Sequence, residues 1–149
     1  VHLDRALDLN PNFAAAHYGL GFALSLAGRA GEALAIVDRA IRLSPYDPLM
    51  HAFLTLRSGA RIMLGRFAEA GEAAHDTQRQ PNCTAWAYLQ EASALANLGR
   101  LDQANAAMAK AYAMKPDISM RWVRALLPAE PGVAMDAYFE GMRRAGLRE

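Results

Sequence analysis

Cysteine is nearly missing from this chain: Cys83 is the only one in 149 residues, so no disulfide can form within it, and a cytoplasmic setting is the simpler expectation. Charge of one sign is missing too. With 16 Lys and Arg against 15 Asp and Glu the net charge is +1, which supplies no broad basic field for nucleic acid or an anionic membrane surface. Apolar residues make up 53% of the chain. Much of that is alanine, and no uninterrupted apolar run reaches the roughly 18 residues that mark a membrane helix. Sustained alternation of β-branched and polar residues is absent, which argues against strands. The length suits one domain or one repeat array.

Catalytic and metal-binding patterns are lacking as well. His2, His17, His51 and His75 are scattered, no HExxH or paired Cys/His spacing occurs, and no ordered Ser/His/Asp set exists, so neither an enzyme, a metal nor a cofactor is expected. His17 and His51 each follow a repeat proline by six residues and read as packing positions. Gly19, Gly21, Gly28 and Gly31 follow no strand, which removes the phosphate-loop reading. Cys83 opens a helix, where the dipole favours a thiolate, although a small residue at a helix start is the simpler reading.

What is present is a recurrence. Pro11 precedes Gly28-Arg29 and Ala33, Pro45 precedes Gly65-Arg66 and Ala70, and Pro81 precedes Gly99-Arg100 and Ala104, with Pro116 closing the series. Self-similarity near 34 residues marks a stacked repeat whose units bury their apolar faces on one another. Apolar spacings of three and four predict helices over 12–27, 30–43, 47–64, 67–79, 84–98 and 101–114. Asn12, Asp47, Asn82 and Asp117 follow the prolines and are suited to cap helix starts. The glycines are suited to the left-handed conformation that closes a helix, and the three alanines to close packing inside a hairpin. The interval from Gly28 to Gly65 is 37 residues against 34 from Gly65 to Gly99, which predicts nearly one extra turn in the first helix of the middle unit.

These units resemble the tetratricopeptide repeat family. The first matches at His17, Leu20-Gly21, Leu24, Ala33, Val37, Ala40 and Pro45, and the third at Tyr88, Ala92, Leu95, Ala104, Met108, Ala111 and Pro116, where Leu-Gly has become Glu91-Ala92. The resemblance implies an all-α fold, a right-handed α-α superhelix of helical hairpins. It spans 1–117, with a half repeat at 1–11 and hairpins near 12–45, 46–81 and 82–116. Helices at 118–127 and 133–144 then form a C-terminal helical cap within 118–149, with Arg121, Arg124, Arg143 and Arg144 outside.

The resemblance further implies a concave groove that holds a protein or peptide partner, placing Tyr18, Phe22, Trp86, Leu89 and Ser93 on its surface. Those residues either form a binding strip or pack between repeats. Arg57 and Arg61 stand one turn apart without an acidic partner in their helix, and are either a carboxylate site or a solvated face. The opening residues, with Leu3, Ala6 and Leu7 on one face, read as mid-helix. They predict a chain cut inside a repeat and a stripe open to a second copy as a homodimer. Segments 4–13, 16–21 and 138–147 also resemble the C-terminal region of bacterial multidomain regulators that carry a class III nucleotide cyclase or a winged-helix domain. A non-catalytic scaffold in such a regulator is the expected function.

Overall fold

Alanine and leucine at helical spacing, punctuated by glycine, give helices and nothing else among the described residues. The computed structural model describes residues 10, 13–128 and 135–149. Its helices are α1 (Ala14–Leu26), α2 (Ala30–Leu43), α3 (Met50–Met63), α4 (Phe67–Gln78), α5 (Ala85–Asn97), α6 (Leu101–Met114), α7 (Met120–Leu126) and α8 (Asp136–Arg144). They pair as hairpins α1–α2, α3–α4 and α5–α6, stacked as a tetratricopeptide-like solenoid. The N-terminal stretch with Leu3 and Leu7, the step Pro11-Asn12 and the expected helix start at Val133 lie outside the described residues.

Each hairpin turn is closed by the same local device. Gly28, Gly65 and Gly99 adopt φ of 77°, 72° and 77°, a region costly for any residue with a Cβ. The N–H of the following Arg29, Arg66 or Arg100 reaches back to the carbonyl of Leu24, Arg61 or Leu95 at 2.8–2.9 Å. The glycine N–H bonds a carbonyl three residues back, completing a Schellman closure. Gly146, with φ of 93°, closes α8 in the same way through Leu147 and Met142.

Five residues after each repeat glycine stands Ala33, Ala70 or Ala104, all fully buried. Seven residues before it stands Gly21, Ser58 or Ala92. A Cβ on Gly21 would lie 2.8 Å from Leu56 Cδ2, so α1 approaches α3 through a position without a side chain. Ser58 holds the same place in the middle hairpin, fully buried, and its hydroxyl donates to the Ala70 carbonyl at 2.9 Å. The hydrogen bond lets a polar residue occupy a close-packing position.

The register of the middle hairpin is therefore regular, and the expectation of an extra turn in its first helix is corrected. α3 has 14 residues against 13 in α1 and α5, and α2 has 14 against 12 in α4. Two of the three surplus residues lengthen α2 and one lengthens α3. The expected caps also shift. Asp47 accepts from the Leu49 N–H at 2.8 Å and so shapes the turn before α3. Asn82 donates to the Pro48 carbonyl at 3.4 Å, and Asp117 pairs with Lys115 at 2.8 Å. Ser119 caps α7 instead, accepting from the Trp122 N–H at 3.3 Å.

The first helices α1, α3 and α5 lie side by side and form the inner face of the stack. One apolar cluster joins Leu34, Val37, Phe53 and Leu56 across α2 and α3. A larger one runs from Ile62 through α5 and α6 into α7, α8 and the C-terminal residues. The last helix does more than seal the end of the array. α8 folds back onto α5 and also touches α3, so it rests on the inner face. The main-chain N–H of Met120 donates to the Arg148 carbonyl at 2.7 Å, and the Arg148 N–H to the Tyr112 hydroxyl at 2.8 Å. These bonds tie the end of the chain to α6 and α7.

Candidate functional site

The inner face is divided by α8 into a covered part and an open part. On the covered part, Ser93 donates through its hydroxyl to the Tyr138 carbonyl at 2.9 Å, and Asn97 Nδ2 to the Ala137 carbonyl at 2.8 Å. Gly141 faces Ser93 and Asn97 directly, with no room for a Cβ. Leu89 and Ser93 are fully buried. Their expected position on an open groove is corrected: α8 occupies the surface at Ser93, and Leu89 is buried in the apolar core.

The open part is a cavity of about 670 Å³ bounded by α1, α3, α5, α7 and the start of α8. Tyr18 and Phe22 from α1, Met63 from α3, Trp86 from α5 and Trp122 from α7 form its apolar walls. Tyr18 and Phe22 stack with ring centroids 6.3 Å apart, and Trp86 meets Trp122 at 5.5 Å and 60°. The sequence-predicted Tyr18, Phe22 and Trp86 thus come together, half-buried, on one surface. Burial raises the Tyr18 phenol above its ordinary value, because the phenolate loses hydration there.

Arg57 and Arg61 are not on this surface, because both are engaged by carboxylates from other helices. Arg57 Nε and Nη2 each lie 2.7 Å from Asp38 Oδ1 on α2. Arg61 donates from Nη1 to the Glu69 carbonyl at 3.0 Å, with Nε 3.8 Å from the Glu69 carboxylate. Arg57 joins the first two hairpins and Arg61 joins the two helices of the second, which corrects the expectation of a ligand carboxylate there. Glu91, in the place of the usual leucine, is 7% exposed and accepts from Gln78 Nε2 at 2.7 Å, with His75 Nε2 at 3.1 Å.

Three polar residues of the cavity were missed by sequence reasoning. Gln90 on α5 is 2% exposed, and its Nε2 donates to the Thr55 carbonyl at 2.9 Å and to the Tyr138 hydroxyl at 2.8 Å. Tyr138 is raised well above its ordinary value by burial, against the opposing pull of hydrogen bonds from Gln90 and Trp86. His51, read as a packing residue, also lines the cavity; its Nδ1 and Gln90 Oε1 are buried without a partner among the described residues. A glutamine in an alanine-rich helix, beside the Glu91 that departs from the repeat pattern, was the available signal.

Elsewhere, burial pushes the Cys83 thiol up, opposite to activation by a helix dipole. Among the described residues no three His, Cys, Asp or Glu side chains group as a metal site, and no helix is long and apolar enough to cross a membrane. A tetratricopeptide repeat family model matches residues 1–56, which cover the first hairpin and the start of the second. No curated protein and no solved structure matches the chain. The match supports a tetratricopeptide repeat, a unit that generally mediates protein–protein interaction.

Proposed function

We propose that this chain is a non-catalytic protein-interaction scaffold, the C-terminal regulatory or sensory region of a larger bacterial signalling or transcription regulator that acts in the cytoplasm. The observation that carries the interaction reading is the convergence of Tyr18, Phe22 and Trp86, from the first and third hairpins, on one concave surface. Aromatic anchors in a concave, largely desolvated site dominate interface energetics. The regulator setting rests on the resemblance of 4–13, 16–21 and 138–147 to such regulators. A partner inserts an apolar anchor beside α8, with α8 forming one wall of the site.

The test identifies a partner by affinity capture and then titrates it, purified, against wild type and the Tyr18→Ala/Trp86→Ala variant by calorimetry. Affinity falls at least about tenfold in the variant, since loss of two anchor residues costs more than about 1 kcal/mol each. Equal affinity refutes the concave-surface reading. Arg57→Ala, placed away from the cavity, serves as the control and leaves the affinity unchanged.

A further inference from the structure

We draw no further inference here: the strongest candidate, the apolar cavity between α1, α3, α5 and α7, belongs to the site already described, and nothing in the structure shows what fills it beyond the partner anchor already proposed.

Discussion

Replacing Gly141 by alanine sets helix propensity against packing where α8 meets α5 through a residue that has no side chain of its own. An added Cβ would stand 2.5 Å from Ser93 Oγ and 2.6 Å from the Ser93 carbonyl oxygen, with the Asn97 amide closer still. Carbon and oxygen in contact normally sit at about 3.3 Å or more. Relief requires α8 to withdraw by roughly 0.7 Å, because the carbonyl belongs to a helix and cannot rotate away. That shift lengthens the Ser93–Tyr138 and Asn97–Ala137 hydrogen bonds. Overpacking costs about 1–3 kcal/mol and the two weakened bonds up to about 1 kcal/mol each, against a gain of about 1 kcal/mol for alanine over glycine in a helix. The mid-range values give a net loss of about 2 kcal/mol, or a fall in Tm of about 4–8 °C for a chain of this size.

Gly71 supplies the internal comparison, since it lies within α4 and nothing stands within 4 Å of an added Cβ. Gly71→Ala gains about 0.5–1 kcal/mol from propensity alone. Urea unfolding followed by far-ultraviolet circular dichroism reads the global stability of both variants. Tryptophan fluorescence reads the cavity separately, because Trp86 and Trp122 are the only two tryptophans and both line it. In Gly141→Ala the fluorescence transition moves to lower urea than the dichroism transition, as α8 leaves before the hairpins melt. A Gly141→Ala protein within about 0.5 kcal/mol of wild type, the scatter expected of an ordinary surface change, would show that α8 is not seated on α5 in this way.

Gly99→Ala tests backbone strain without crowding, since φ is 77° and nothing lies within 4 Å; a loss of about 1–2 kcal/mol in urea unfolding is expected. A double-mutant cycle on Arg57→Ala and Asp38→Ala should give a coupling of about 1 kcal/mol, the upper end for a partly exposed pair, and a smaller one in 1 M salt. For Tyr138 the folded chain keeps a phenol proton that the unfolded chain releases near the ordinary value of 10.0. Its contribution to stability is therefore complete below pH 10.0 and is lost as pH rises above it, at up to about 1.4 kcal/mol per pH unit. Thermal unfolding of Tyr138→Phe between pH 9 and pH 11 should show a correspondingly flatter dependence, provided the chain stays folded there.

The hairpins were legible from sequence because their determinants are local. A left-handed glycine, a back-bonding arginine N–H and a buried alanine five residues later are set within one turn of chain, so Gly28, Gly65 and Gly99 mark the helix ends directly. Even the middle hairpin, where a 37-residue interval suggested a distorted helix, carries its register in the order Ser58, Gly65, Ala70. Serine hid that register because it enters the close-packed position only with its hydroxyl bonded to the Ala70 carbonyl. The site was less legible, since its decisive contacts join residues far apart in sequence. Arg57 finds Asp38 across 19 residues, and Gln90 finds Tyr138 across 48. Periodicity shows that α8 has an apolar face but not which surface it covers. Leu89 and Ser93 therefore looked available by repeat position, while Leu89 is buried in the core and α8 covers Ser93. The same fold-back holds the Gln90 amide through the Tyr138 hydroxyl and covers the α5 part of the inner face. What distinguishes the cavity from a generic concave surface thus comes from a helix that does not repeat, and perturbing Gly141 should alter partner binding through that helix with every repeat residue left intact.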